Sequence, residues 1–252
     1  MYDNGLIILE NPSLGSPCLL TGRNFQNLIL WRPRIGEAFT ICSTDERFFR
    51  ARVTRLGSDT AEVFVFEGFN AQLESHLKIM LLQALPQKER MELIIQKTTE
   101  LGVSSIVPFK SERSISLEQR DAVQKKSHKW SEIALKAAKQ SRRATMPEIH
   151  PCCSFNEAVR MASSSDFKIL LWENEKTALL KESIRRLKYS EACSVTIVVG
   201  PEGGFEDEEV EEAQKAGFLI VSLGQRILRT ETASIVMVGL IQYELGDMGN
   251  TV

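Results

Sequence analysis

A chain of 252 residues with 43% hydrophobic and 25% charged residues has the make-up of a globular protein, which excludes a disordered or fibrous one. Its longest apolar runs, such as Val195–Val199 and Ile235–Val238, are too short to cross a bilayer. The formal net charge of −2 argues against a nucleic-acid partner if taken as an average, but the charge is unevenly placed.

Residues 1–70 read as short strands. Glu37–Ser43, Arg47–Leu56 and Thr60–Phe66 are β-branched and aromatic, and turn residues such as Gly57-Ser58-Asp59 separate them. In the middle strand Phe49, Ala51 and Val53 alternate with Arg50, Arg52 and Thr54, which buries one face and leaves the other cationic. A small antiparallel barrel presenting arginines would grip RNA, and arginines that only solubilise a barrel would look the same.

After residue 72 helices and strands alternate. A strand at Leu77–Ala84 precedes a helix from near Lys88 to Leu101, in which Met91, Ile94, Ile95, Thr98 and Leu101 follow three/four spacing and Gly102 stands at the left-handed stop. Val103–Phe109 is the next strand. Ser116 and Gln119 suit a capping box opening a helix that ends near Arg143, with Trp130, Ile133, Ala134, Ala137 and Ala138 as its buried stripe. Ser154 with Glu157 marks a further helix start. Strands at Lys168–Trp172, Val195–Val199 and Phe218–Ser222 follow, and a final helix runs from Glu231 to Leu245. Such alternation predicts a mostly parallel sheet covered by helices.

Residues 113–143 carry nine Lys/Arg against three acids, whereas 202–212 carry seven acids and no base. The basic segment is a phosphate-facing surface or a solvated helix face. The five cysteines (Cys18, Cys42, Cys152, Cys153 and Cys193) form no CxxC pair and have no histidine at metal spacing. With no secretory signal in view, reduced thiols in a cytoplasmic protein are expected, without metal and without membrane.

Two loops carry the chemistry. The first, Val199-Gly200-Pro201-Glu202-Gly203-Gly204-Phe205, follows an apolar strand and precedes an acid-rich helix (Glu206–Ala216, closed by Gly217). It has neither the G-x-G-x-x-G of a dinucleotide site nor the G-K-[ST] of a phosphate loop. Acids at 206–209 repel a polyphosphate, so a cationic, phosphate-free cofactor such as S-adenosylmethionine fits better. A plain strand-to-helix turn is the simpler account of the same residues. The second loop, Leu223-Gly224-Gln225-Arg226-Ile227-Leu228-Arg229-Thr230-Glu231-Thr232-Ala233, also follows a strand and precedes a helix. Two such loops at neighbouring carboxyl ends form the crevice where open α/β sheets bind ligands. Leu223, Ile227 and Leu228 could hold an adenine ring, and Thr230 supplies cap and hydrogen-bond groups.

Gly-Pro-Glu-Gly-Gly-Phe followed by Leu-Gly-x-Arg-Ile-Leu-Arg-x-Glu-Thr-Ala resembles the RsmE family of SPOUT-class methyltransferases. The resemblance covers most of residues 77–245. Its other carriers are Arg90-Met91-Glu92 through Lys97, Glu100-Leu101-Gly102-Val103, Ser111-Glu112-Arg113-Ser114, Trp130, and Ala137-Ala138-Lys139-Gln140-Ser141 with Arg143. It implies an α/β trefoil-knot methyltransferase domain over 73–252 and a PUA-like β-barrel over 1–72. It further implies S-adenosylmethionine-dependent methylation of N3 of a uridine in small-subunit (16S) ribosomal RNA, free or in the assembled subunit, by a homodimer. The expected cofactor residues are Leu171, Gly200, Pro201, Glu202, Gly203, Gly204, Leu223, Gly224, Ile227, Leu228, Arg229, Thr230, Thr232 and Ala233.

Removal of the N3 proton calls for a base or a cation that steadies the uracil anion, for which Glu202, Glu231 and Arg229 are the candidates. Arg32, Arg50, Arg52, Arg113, Gln140, Arg142 and Arg143 are the candidates for RNA. The chain departs from the family where Phe25-Gln26 replace a usual His-His pair, Gln87-Lys88 a Lys-Gly, and Lys139 a usual Glu. By the same resemblance these changes are expected on the RNA side, and they spare the cofactor loops. A knotted enzyme acting on another ribosomal or transfer-RNA base and a non-catalytic RNA-binding protein are the competing readings, and only the last need not bind S-adenosylmethionine.

Overall fold

The computed structural model describes residues 4–86, 90–114, 129–175, 180, 184 and 193–249. The helix start expected at Ser116 and Gln119, three of the basic residues (Arg120, Lys125 and Lys126) and the Gln87-Lys88 pair lie outside them. Two compact units divide the chain: Met1–Glu74 with Leu135–Met146, and Ser75–Ala134 with Pro147–Thr251. Leu135–Met146 thus groups with the N-terminal residues.

The first unit is a five-stranded sheet in the order β1-β3-β4-β5-β2, from β1 (Ile8–Leu9), β2 (Pro17–Leu20), β3 (Ala38–Ser43), β4 (Phe48–Leu56) and β5 (Ala61–Gly68). All pairs are antiparallel except β1 with β3. The alternation expected in β4 holds: Phe49, Ala51 and Val53 are buried with Phe39, Ile41, Val63 and Val65, and Arg52 and Thr54 face out.

Reading the whole of 1–70 as strands is corrected by α1 (Gly22–Leu30). Gly22 and two asparagines hide this helix from propensity. The asparagines serve tertiary bonds instead: Asn24 pairs with the backbone of Ile8, and Asn27 Nδ2 donates to the Leu6 carbonyl. Trp31, which ends α1, packs on Leu135 and Ala138 and donates its indole N–H to the Gly5 carbonyl at 2.8 Å.

The second unit holds a parallel sheet in the order β12-β10-β11-β6-β7-β8, with β9 (Cys153–Ser154) also paired to β7. Its strands are β6 (Lys78–Ala84), β7 (Ser105–Lys110), β8 (Glu148–Ile149), β10 (Phe167–Leu171), β11 (Ser194–Val199) and β12 (Leu219–Val221). Both faces are covered, which is why the strands read as nearly unbroken apolar runs. Ile79, Leu81, Val195 and Ile197 lie in one core layer with residues of α2 (Arg90–Glu100) and α6 (Thr230–Leu245). Leu82, Ala84 and Val198 lie in the other with α4 (Phe155–Met161) and α5 (Asp207–Lys215). In chain order between α2 and α4, α3 (Trp130–Gln140) buries Trp130, Ala134, Leu135, Ala137 and Ala138 and leaves Lys136 exposed.

Helix ends match their signals. Ser154 and Glu157 form the reciprocal capping box of α4. Gly102 adopts φ +86° after α2, a left-handed conformation that favours glycine, and a Cβ there would lie 2.6 Å from Gln242 Nε2, so that side chain would have to shift. The parallel, adjacent strands β12, β10 and β11 end at Val221, Leu171 and Val199, and so deliver three loops to one edge of the sheet.

Candidate active site

The first loop leaves β11 and folds back on itself. Gly204, at φ +73°, donates its N–H to the Pro201 carbonyl at 3.1 Å. Phe205 is buried beneath, parallel to Phe109 at 6.4 Å and tilted against Phe155. This ring comes so near Gly200 that a Cβ there would stand 2.9 Å from it.

A strap of residues 111–113 holds the loop from one side. The buried Glu209 carboxylate accepts from Ser111 Oγ (3.0 Å), the Glu112 N–H (3.2 Å) and the Glu206 N–H (3.0 Å). Arg113 forks onto Glu206 at 2.6 and 2.7 Å and donates its remaining Nη to the Gly203 carbonyl at 2.9 Å. That bidentate geometry is the one guanidinium favours for carboxylates. Hydrogen bonding within the pair holds the Glu206 carboxyl below its ordinary range and the Arg113 guanidinium above its own.

A carboxyl depressed in the folded state lends its support above the unfolded value and loses it as pH falls through the folded one. The clamp is therefore complete at neutral pH and opens in acid, below the ordinary carboxylate range. The urea midpoints of wild type and Arg113→Gln should differ at pH 7 and converge toward pH 3. A gap unchanged across that range would mean that the pair does not set it.

The second loop leaves β12 and ends where Thr230 opens α6. Thr230 Oγ1 donates to the Gly200 carbonyl at 2.6 Å and accepts from Gln83 Nε2 at 3.1 Å. Gln83 is fully buried at the end of β6, and Ser234 Oγ donates to its carbonyl oxygen. One hydroxyl thus ties the second loop to the first, and a buried amide fixes the hydroxyl.

Arg90, at the start of α2, joins the loops again. Its Nη1 lies 2.8 Å from Glu202 Oε1 and its Nε 3.7 Å from Glu231 Oε2, an oxygen with no hydrogen-bond donor of its own among the described residues. The two carboxylates proposed separately from sequence therefore share one guanidinium.

Between the loops is a cavity of about 380 Å³. Leu171, Val199, Leu223, Leu228 and Ala233 give it apolar wall, while Glu173, Glu202, Arg226 and Arg229 bring charge to it. That size falls within the range of about 300–1,000 Å³ typical of small-molecule sites. Apolar wall, exposed loop backbone and carboxylates suit a nucleoside carrying a positive charge better than a polyphosphate.

Of the expected cofactor residues, all but Gly203 and Thr232 line this cavity. Gly203 is turned to Arg113, and Thr232 is exposed on α6. Arg229 is exposed and, among the described residues, makes no side-chain hydrogen bond or ion pair. Trp172, Glu173 and Arg226 were missed, although the first two directly follow the strand between β11 and β12. Arg90 belongs to a motif of the family resemblance, but no local pattern gives it a role at the site.

The expected RNA residues separate. Arg113 is the clamp just described. Arg143 is only 7% exposed and is bound to Glu74, whose carboxylate also accepts from the N–H groups of Ala144 and Thr145. Arg50 is half-buried, donating to Thr40 Oγ1 and the Ala38 carbonyl; burial, then Arg142, pushes its pKa down. Arg32, Arg52, Gln140 and Arg142 are exposed on the first unit.

Residues 73–242 match the family described as the RNA methyltransferase domain. The ribosomal RNA small subunit methyltransferase E of Mesomycoplasma hyopneumoniae is 31% identical over 81% of this chain and 85% of its own. The protein of the same name from Bacillus subtilis is 29% identical over 89% of each. The chain belongs to the ribosomal RNA small subunit methyltransferase E family. A crystal structure of the Neisseria gonorrhoeae methyltransferase E bound to S-adenosyl methionine superposes with a TM-score of 0.69 at 32% identity, covering 96% of this chain and 99% of that one. As a methyltransferase E, the chain combines an α/β fold holding a parallel sheet with a cavity at the carboxyl ends of its strands. Among its described residues no three His, Cys, Asp or Glu side chains are placed to hold a metal ion, and no helix is long and apolar enough to cross a membrane.

Proposed function

We propose that this protein transfers the methyl group of S-adenosylmethionine to N3 of a uridine in small-subunit (16S) ribosomal RNA. The observation that carries the reading is the Thr230–Gly200 bond, which closes two strand-end loops around one cavity. The donor supplies an electrophilic methyl group on a positively charged sulfur. Leu171, Leu223, Ile227 and Leu228 would hold its adenine, and loop backbone from Gly200 to Gly204 would approach its edges. Glu173 and Glu202 favour a cation, and Arg229 is available for a carboxylate or for the uracil.

Alignment of donor and acceptor supplies much of such a displacement's rate. The N3 proton must leave, and negative charge then spreads to the flanking uracil oxygens. Arg229 steadies that charge in this account. Glu202 and Glu231 share Arg90 and act as positioning residues that set the loops. Arg32, Arg142, Gln140, Arg50 and Arg52 are the RNA contacts this reading retains. We further propose a trefoil knot within 73–252, a PUA-like barrel over 1–72 and a cytoplasmic location.

The assignment includes a homodimer. Val236, Leu240 and Tyr243 form one stripe on α6 and are 38%, 37% and 59% exposed, although the opposite side of this helix is core. Leu240→Glu is expected to convert a dimer into a monomer in analytical ultracentrifugation. A wild-type chain that sediments as a monomer at micromolar concentration refutes the dimer.

Methylation of small-subunit RNA with labelled donor, followed by mass mapping of the product, tests the reaction itself. The expected product is 3-methyluridine at one position. A label on another base, or none, overturns the assignment.

A further inference from the structure

The outward face of the first unit's sheet is not the polar one its alternation calls for. On β5, Val63 and Val65 point inward, whereas Phe64 and Phe66 point out and are 38% and 39% exposed. Register puts Pro17, Phe64, Arg52 and Ala38 in one row across β2, β5, β4 and β3. Arg52 lies over the Phe66 ring at 5.2 Å, and Leu19, 65% exposed, extends the apolar patch along β2. The β4–β5 register shifts between Arg50 and Ala51, beside Phe66, so the ladder is irregular where this ring stands.

Cations border the rings. Arg50 shares the face of Arg52, its guanidinium close enough to Arg142 for the two like charges to disfavour each other. The acids on this face are Glu62, which is exposed, and Glu67, 3.9 Å from Arg142. A solvated sheet face needs no phenylalanine, and a purely apolar partner would gain nothing from stacked arginine.

We propose that this face is a stacking platform for unpaired nucleotides of the RNA substrate, with bases on Phe64 and Phe66 and phosphates beside Arg50, Arg52 and Arg142. The proposal rests on the RNA reading above. Its chemistry is that of single-strand recognition, where every base offers a π-face to an aromatic ring and the cations follow the backbone. Neither phenylalanine belongs to the cofactor cavity, so the platform can be removed without touching the donor site.

The test uses the full chain, a fluorescent unstructured RNA of 12 nucleotides, and the same strand annealed to its complement. Wild type is expected to bind the single strand more tightly than the duplex. Phe64→Ala/Phe66→Ala should weaken single-strand binding by about tenfold to a hundredfold, as loss of base stacking does, with S-adenosylmethionine affinity unchanged. Phe64→Leu/Phe66→Leu keeps an apolar surface without π-faces and is expected to show the same loss, which separates stacking from unfolding. Unchanged single-strand affinity in either variant, with salt-dependent RNA binding intact, overturns the platform alone. Failure of wild type to bind any RNA overturns the RNA reading with it.

Discussion

Replacing Gly200 with alanine is expected to lower S-adenosylmethionine affinity by about tenfold to a hundredfold, the equivalent of about 1–3 kcal/mol of overpacking. The new methyl group would meet three atoms of one ring: Phe205 Cε2 at 2.9 Å, Cδ2 at 3.2 Å and Cζ at 3.3 Å. An exposed, flexible neighbour would give way. Phe205 is 2% exposed and packed against both Phe109 and Phe155, so the backbone of the loop must move instead. The Gly200 carbonyl is also the acceptor for Thr230, and its displacement loosens the bond between the two loops. Calorimetric titration with the donor reads the effect. If the alanine variant binds like wild type, this loop is not a wall of the donor site.

Arg90→Gln is the second large effect. It removes the guanidinium shared by Glu202 and Glu231 and leaves two carboxylates facing one position, with the Glu231 side chain only 12% exposed. Breaking a fully buried pair costs several kcal/mol; with this arginine 29% exposed, about 1–2 kcal/mol is expected, together with a clear fall in turnover. Glu231→Gln added to Arg90→Gln should restore part of the lost stability, because it removes the uncompensated charge. Urea unfolding of the two single variants and the double variant measures this coupling. Strictly additive losses would mean that the three side chains do not act together.

These effects turn on features of unequal visibility in the sequence. Strand and helix alternation after residue 72 was readable because the parallel strands are apolar on both faces, and because Gly102, Gly217 and the Ser154–Glu157 pair mark helix ends locally. The two loops were readable as well, since both follow strands. Their convergence depends on β10 lying between β11 and β12, which no local pattern states.

Arginine roles were the least legible. Arg113 reaches a carboxylate 93 residues away and Arg143 one 69 residues away, so motif and local charge give no hint that both serve intramolecular clamps. Arg50 alternates as an outward residue yet is half covered by its bonds to β3. The helix Gly22–Leu30 escaped because its asparagines favour turns until they find backbone partners in another segment. Phe64 and Phe66 could have been flagged, since they place aromatics at alternate positions where a one-sided strand calls for polar ones.

A crystal structure of the protein with S-adenosylmethionine or its demethylated product would locate the donor. Density for the nucleoside is expected between the bend at Gly200–Gly204 and the segment Leu223–Arg229, with the Thr230–Gly200 contact kept. A ligand bound elsewhere, or a saturated crystal in which that space stays empty, would contradict it.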